Sequence, residues 1–137
     1  MTNKITVIDY GVGNILSIKN AISFHGYTSH ITNKKKDIES ASHIILPGVG
    51  AFPAAMKKLK DLDLINPIIE AANKQKYLLG ICLGMQLLFT NSEEFEKTEG
   101  LDLIKGNIIK LDKFHSNFNS KLPNIGWRNC KIDSKKN

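Results

Sequence analysis

Hydrophobic and polar residues alternate along the chain in blocks that predict strands and helices in turn. Short apolar runs bounded by polar or glycine-containing segments are typical of buried strands, and they occur at 5–8, 27–32, 43–46 and 77–81. Apolar residues at helical spacing follow these runs and predict helices at 15–25, 34–40, 51–59, 64–73 and 83–89. This alternation predicts an α/β fold, in which helices flank both faces of a mostly parallel sheet and a site lies at the carboxyl ends of the strands.

The region after Ser92 has a different pattern. Glutamates between 93 and 99 predict an exposed loop, and residues 106–113 and 127–132 have the composition of further strands. No linker or repeat divides the chain, so its 137 residues predict one domain spanning 1–137.

Composition narrows the class of protein. Apolar residues make up 42% and charged residues 23% of the chain, as in ordinary globular domains. The sequence contains no run long enough to span a membrane, and the N-terminus reaches Asp9 after only a short apolar run. We therefore expect no membrane association, no secretory signal and a cytoplasmic location.

The distribution of charge and the spacing of the cysteines argue against nucleic acid and metal ions as ligands. The net charge is +6, but the lysines are scattered and no aromatic residues are interleaved with them, so no nucleic-acid partner is expected. The two cysteines, Cys82 and Cys130, lack the spacing of metal ligands. We expect no metal and no cofactor. Each cysteine is then either a buried small side chain or a reactive thiol.

Residues 80–84 (GICLG) are the most informative motif. They have the form of a nucleophile elbow, with Cys82 in place of the usual serine, between a predicted strand and a predicted helix. Glycines on both sides would remove collisions in so tight a turn. The turn would also place the thiol at a helix N-terminus, where the dipole favours thiolate. The alternative is a structural cysteine in a strand-to-helix turn.

Residues 47–50 (PGVG), called the glycine loop below, follow the third predicted strand. Acyl transfer needs two donors aimed at the developing oxyanion. In elbow enzymes one donor is the N–H after the nucleophile and the other comes from a nearby strand-to-helix loop. Those donors would be the N–H groups of Leu83 and Val49. The alternative is a glycine-rich turn without a ligand.

The four histidines do not supply an obvious base. His25 and His30 flank the second predicted strand, His43 opens the third, and His115 lies in a polar loop. None is expected within hydrogen-bond reach of Cys82, as a general base would have to be.

Four motifs, at 9–14 (DYGVGN), 47–52 (PGVGAF), 80–88 (GICLGMQLL) and 123–127 (PNIGW), occur in this order. Together they resemble the glutaminase subunits of imidazole glycerol phosphate synthases, which are class I glutamine amidotransferases. The resemblance covers nearly the whole chain and implies a flavodoxin-like fold. In such proteins glutamine is hydrolysed through a cysteine thioester, and ammonia passes to a synthase.

The resemblance implies a role for each matching residue. Cys82 would be the catalytic nucleophile that forms the glutamyl thioester. Leu83 and Val49 would supply the oxyanion N–H groups. Gly50 and Gln86 would help to bind the substrate glutamine.

A second group of residues would face a partner subunit. The resemblance places Tyr10, Gly11, Asn14 and Trp127 toward a (β/α)8-barrel cyclase, near the mouth of an ammonia passage. The resulting heterodimer would make imidazole glycerol phosphate in histidine biosynthesis.

The sequence departs from the family pattern in its last part, where Asn124 and Arg128 stand in place of the usual histidine and asparagine. Members carry a late histidine and glutamate that complete a catalytic triad, and no such pair follows Trp127. The chain is therefore expected to be the N-terminal two thirds of the domain, with its general base supplied by further sequence or by another chain. Two alternatives stay open: an inactive fragment that binds the synthase, and a glutaminase that serves the amidation of a surface sugar.

Overall fold

The computed structural model describes residues 4–110, together with 126 and 129. Trp127 and nearly all of the predicted strand at 127–132 lie outside the described residues. Strands and helices alternate over most of the described chain. In chain order the elements are β1 (Lys4–Ile8), α1 (Ile15–Phe24), β2 (Thr28–Thr32), α2 (Lys35–Ser40), β3 (His43–Leu46), α3 (Phe52–Asp61), α4 (Ile65–Asn73), β4 (Tyr77–Gly80), α5 (Leu83–Gln86), β5 (Phe89–Ser92), β6 (Thr98–Glu99) and β7 (Ile104–Ile108).

The first four strands form one sheet in the order β2-β1-β3-β4. Every neighbouring pair in this sheet is parallel. The prediction of a mostly parallel sheet is confirmed, and the observed order matches the first four strands of a flavodoxin-like sheet. Because β1, β3 and β4 are adjacent and parallel, the loops that follow them emerge at the same edge.

Alternate side chains of β1 and β3 enter two separate cores. Ile8, Ile44 and Leu46 face a large core formed with α2, α3 and α4. Val7 and Ile45 face a smaller one, which α1 closes with Ile22. This alternation is the two-residue period of a strand whose two faces are both packed.

Coverage of the sheet is incomplete at β4. On the face shared with α1, Tyr77 is 72% exposed and Leu79 is 56% exposed. Helix α1 packs over Val7 and Ile45 of the neighbouring strands instead. The prediction of helices on both faces therefore holds for β1 and β3, while one face of β4 is open. None of the helices in the described part of the chain is both long and apolar enough to cross a membrane.

The segment after the elbow differs from the prediction. The helix expected at 83–89 ends at Gln86, and Phe89–Ser92 is a strand that pairs with β6 and β7 in a second sheet. The carbonyl oxygens of Leu87 and Leu88, which would continue a helix, accept N–H groups from 101 and from 103 and 104. Tertiary pairing thus overrides the helical pattern here, helped by the strand preference of phenylalanine and threonine.

Two further boundaries are corrected. The glutamate-rich segment expected to be a loop contains the short strand Thr98–Glu99, which is antiparallel to β5. The strand expected at 106–113 is Ile104–Ile108, parallel to β5. Both strands depend on β5, which the sequence pattern did not predict, and so their limits were not visible locally.

Candidate active site

Three loops meet at the carboxyl edge of the main sheet. They follow β1, β3 and β4 and contain residues 9–14, the glycine loop at 47–50 and the elbow at 80–84. Ligands of open parallel sheets bind in the crevice outside this edge. The fold therefore brings the three motifs together at the carboxyl edge of the main sheet, where the site was predicted.

The elbow has the conformation expected of a nucleophile-bearing turn. Cys82 has φ 55° and ψ −116°, a region that costs a non-glycine residue free energy and is typical of functional turns. Its side chain is exposed and its thiol is free. A Cβ on Gly80 would lie 2.6 Å from the Cα of Met85, and one on Gly84 would overlap the Leu46 carbonyl oxygen. The prediction that glycines remove collisions in this turn is confirmed.

Helix α5 is shorter than predicted, which changes the electrostatics. It comprises the four residues Leu83–Gln86, only about one turn. A single turn sums few peptide dipoles, so the stabilisation of a Cys82 thiolate by a long helix dipole, expected from the sequence, does not apply. The N–H of Leu83 is at the start of α5 and so has no acceptor within the helix, which leaves it able to donate to a ligand.

The glycine loop packs directly against the elbow. A Cβ on Gly48 would lie 2.7 Å from the backbone nitrogen of Gly84 and 2.9 Å from the Cβ of Leu83. Val49, the next residue, is 50% exposed, and Gly50 adopts a positive φ of 89°. The two predicted oxyanion donors, on Val49 and Leu83, thus belong to loops in close contact. Their role as donors stays a prediction.

The remaining predicted substrate residues border the same surface. Gly50 is exposed and Gln86 is half-buried at the end of α5. With Cys82 and Val49 exposed as well, this surface is open to solvent rather than enclosed. Their part in glutamine binding stays a prediction.

The loop after β1 contains two exposed residues and one buried residue of the predicted partner surface. Gly11 and Asn14 are exposed, and the Asn14 side chain caps α1 by accepting the N–H of Ser17 at 3.2 Å. Tyr10, expected to lie toward a partner, is instead 2% exposed. Its hydroxyl donates a hydrogen bond to the Pro47 carbonyl oxygen at 2.8 Å, so its ring lies inward, beneath the glycine loop.

Two contacts that hold the site loops were missed by sequence reasoning. A carboxylate oxygen of Glu94 accepts the N–H of Phe52 at 2.8 Å, joining residues 42 positions apart at the start of α3. The Lys58 ammonium group donates to the Gly11 carbonyl oxygen at 3.1 Å. Nothing in the local pattern marks either pair, because each depends on the packing of α3 beside the sheet edge.

The three described histidines lie away from Cys82. His43 is the first residue of β3, at the amino end of the strand, and His25 directly follows α1. His30 lies within β2 rather than beside it, and its Nε2 is 3.0 Å from an Asp37 carboxylate oxygen. His115 lies outside the described residues. Among the described residues no histidine reaches the carboxyl edge of the main sheet.

A groove elsewhere on the surface does not compete as the site of chemistry. It has a volume of about 720 Å³ and lies between α3, α4 and the segment that includes β6. Its lining contains lysines and glutamates but neither a thiol nor a glycine loop. The elbow, with its strained and exposed Cys82, carries the stronger chemical signature.

Comparison with known proteins identifies the family of the chain. The profile of the family described as "Glutamine amidotransferase class-I" matches residues 6–134. A protein of Caldanaerobacter subterraneus subsp. tengcongensis, named "Imidazole glycerol phosphate synthase subunit HisH", is 44% identical over 128 residues, which are 93% of this chain and 61% of that protein. A Bacillus thuringiensis (strain Al Hakam) protein of the same name is 45% identical over 127 residues, 93% of this chain and 58% of its own. The chain thus spans about three fifths of the length of these curated relatives.

Solved structures agree on the fold. One described as "Crystal structure of glutamine amidotransferase" superposes with a TM-score of 0.68 at 16% identity, over 85% of this chain and 59% of that chain. A "Putative Peptidase E Protein" from Listeria monocytogenes EGD-e superposes with a TM-score of 0.60 at 13% identity, over 74% of this chain and 62% of its own. At these identities the likeness concerns the fold alone.

Proposed function

Since the chain belongs to the class I glutamine amidotransferases, we propose that it carries the nucleophile and oxyanion loops of a glutaminase. The observation that carries this proposal is the elbow, in which Cys82 is exposed with φ 55° and the next residues, Leu83 and Gly84, pack against Gly48 of the glycine loop. An ordinary structural cysteine has no need of this strained turn.

The proposed reaction begins with attack of the Cys82 thiolate on the side-chain amide carbon of glutamine. A sulfur–carbon bond forms, and the carbonyl oxygen becomes an oxyanion that the N–H groups of Val49 and Leu83 stabilise. The carbon–nitrogen bond then breaks, and the leaving nitrogen takes up a proton and departs as ammonia. Water cleaves the resulting thioester, which releases glutamate and restores the thiol. Gly50 and Gln86 would hold the substrate beside the sulfur.

The proposed reaction also needs a general base within hydrogen-bond reach of the Cys82 thiol. None of His25, His30 and His43 reaches the elbow. We propose that the base and its orienting carboxylate come from polypeptide beyond the described residues or from another chain. Loss of a triad base lowers the rate by several orders of magnitude, so activity depends on that addition.

The names of the relatives suggest the destination of the ammonia. Proteins about 45% identical to this chain are named as subunits of imidazole glycerol phosphate synthase. We propose that the chain acts in a heterodimer with a (β/α)8-barrel cyclase, in the cytoplasm, in histidine biosynthesis. Gly11 and Asn14, exposed on the loop after β1, would contribute to that interface, and Trp127 is proposed to do so as well.

The proposal is tested by mixing the chain with a barrel cyclase of the histidine pathway and measuring glutamate released from glutamine. We expect glutamate to be released by the unsubstituted chain and not by Cys82→Ser. Association without release of glutamate would favour the second candidate, a binding subunit without activity, which is consistent with the absence of a histidine near Cys82 among the described residues. If the mixture showed neither release of glutamate nor association, both proposals would be contradicted.

A further inference from the structure

Tyr10 lies directly under the glycine loop, although it belongs to the loop after β1. Its hydroxyl donates to the Pro47 carbonyl oxygen at 2.8 Å across 37 positions of the sequence. A Cβ on Gly48 would lie 3.0 Å from the same hydroxyl oxygen. The phenol group is therefore bonded to Pro47 and leaves no room for a side chain on Gly48.

A hydrogen bond to the Pro47 carbonyl oxygen also fixes the direction of the Gly48 N–H. A peptide group is planar and trans, so its carbonyl oxygen and its N–H point in opposite directions. With the Pro47 carbonyl held by Tyr10, rotation of the Pro47–Gly48 peptide is opposed by loss of a buried hydrogen bond. Gly48 is also the point at which the glycine loop meets Gly84 and Leu83. The orientation of this peptide consequently sets how Val49, one residue later, approaches the elbow.

We propose that Tyr10 is a positioning residue, whose hydroxyl holds the glycine loop in the orientation that presents the Val49 N–H to the oxyanion. The inference deepens the proposed function and rests on it. Tyr10 itself is buried and its hydroxyl is bonded to the Pro47 carbonyl oxygen, so it would act through the loop.

The hydroxyl, rather than the ring, is the informative part of the side chain. Packing alone would be served by phenylalanine, whereas burial of a phenol requires a partner for its oxygen. Burial also raises the pKa of Tyr10 to about 12, which keeps the hydroxyl protonated and able to donate. The Lys58 ammonium group holds the next residue by its hydrogen bond to the Gly11 carbonyl oxygen. Tyr10 is thus fixed from its own side and can serve as an anchor for the neighbouring loop.

The test compares two electrophiles on the full chain. One is a chloromethyl ketone analogue of glutamine, and the other is chloroacetamide. In both reactions the Cys82 sulfur forms a bond to carbon and chloride leaves, but only the first presents a glutamine-shaped ketone whose oxygen can enter the oxyanion site. The variants are Tyr10→Phe and, as a matched control, Tyr77→Phe, which removes the hydroxyl of an exposed tyrosine at the far end of β4.

The expected result for Tyr10→Phe is a drop of about tenfold in the maximal rate of modification by the ketone, the scale of one positioning hydrogen bond. The ketone concentration at half-maximal rate and the rate with chloroacetamide should stay the same. A general structural defect would instead change the rates of modification by both reagents. Equal maximal rates in Tyr10→Phe, Tyr77→Phe and the unsubstituted chain would overturn the inference. If the unsubstituted chain itself showed no preference for the ketone and no protection by glutamine, the proposed function would fail instead.

A second measurement needs no variant and so does not depend on the folding of Tyr10→Phe. With tyrosines labelled by carbon-13 at Cζ, a slowly exchanging hydroxyl gives separate signals for its protonated and deuterated forms in mixed light and heavy water. Tyr10 should give two signals, whereas the exposed Tyr27 and Tyr77 should each give one averaged signal. A single averaged signal for Tyr10 would overturn the inference even if Tyr10→Phe did not fold.

Discussion

Gly80→Ala tests whether the elbow is as tight as the structure describes. The added Cβ would lie 2.6 Å from the Cα and 2.7 Å from the nitrogen of Met85, and 2.8 Å from the carbonyl oxygen of Gly84. Ordinary contact begins near 3.4 Å, and all three neighbours are backbone atoms that cannot rotate away. The φ of Gly80 is not in the left-handed region, so the collision, rather than backbone conformation, determines the cost.

The magnitude follows from what must move. Separating these atoms shifts either the first turn of α5 or the end of β4, where Gly80 pairs with Leu46 of β3. Overpacking of this kind costs about 1–3 kcal/mol, and a weakened backbone hydrogen bond adds about 0.5–1.5 kcal/mol. We expect Gly80→Ala to lower the free energy of unfolding by about 2–4 kcal/mol, a large share of the stability of a small domain.

The assay is urea unfolding followed by circular dichroism, with Gly26→Ala as the matched control. A Cβ on Gly26 would meet nothing within 4 Å, so the cost of Gly26→Ala comes from its positive φ of 77° and is about 1–2 kcal/mol. If Gly80→Ala lost no more stability than Gly26→Ala, the close approach of β4 and α5 described here would be wrong.

Three further results are expected. Because Leu59 is 0% exposed and Leu16 is 67% exposed, Leu59→Ala should lower the free energy of unfolding by about 2–5 kcal/mol, and Leu16→Ala should lower it by less. Equal losses in the two variants would contradict the described core. The pKa of Asp37 is held below its ordinary value of 3.8, first by the hydrogen bond from Thr32, so the stabilisation by this carboxylate is present above that value and is lost as the pH falls through the lower folded pKa. The stability difference between the unsubstituted chain and Asp37→Asn should therefore shrink over that acid range in unfolding curves. Burial raises the pKa of Tyr10 to about 12, so the stabilisation by its protonated form is present in full below pH 10.0 and is lost as the pH rises toward 12. When the folded chain is titrated by ultraviolet absorbance, one of the three tyrosines should ionise at the highest pH, and Tyr10→Phe should abolish that step.

The main sheet was largely predictable because its signals are local. Apolar runs that contain β-branched residues, such as Ile5 to Ile8 and Ile44 to Leu46, are bounded by turn or polar residues. Strands of this kind in alternation with helices leave little choice of fold class. The elbow was predictable for the same reason, since the need for glycine on both sides of Cys82 is a steric demand within five residues.

The second sheet was not predictable because it depends on distant pairing. Leu87 and Leu88 extend a helical pattern into Phe89, yet their carbonyl oxygens accept N–H groups from residues more than ten positions later. The length of α5, and with it the dipole expected at Cys82, follows from that pairing. The burial of Tyr10 was not predictable for a related reason, since an aromatic residue in a loop gives no local sign of the carbonyl group to which it is bonded.

Modification of the chain by the chloromethyl ketone analogue of glutamine, mapped by peptide mass spectrometry, tests the central claim most directly. The account predicts that Cys82 is modified much faster than Cys130 and that added glutamine slows the modification of Cys82 alone. Equal modification of Cys82 and Cys130, or modification of Cys82 that glutamine does not slow, would contradict the claim that the elbow presents a glutamine-directed nucleophile.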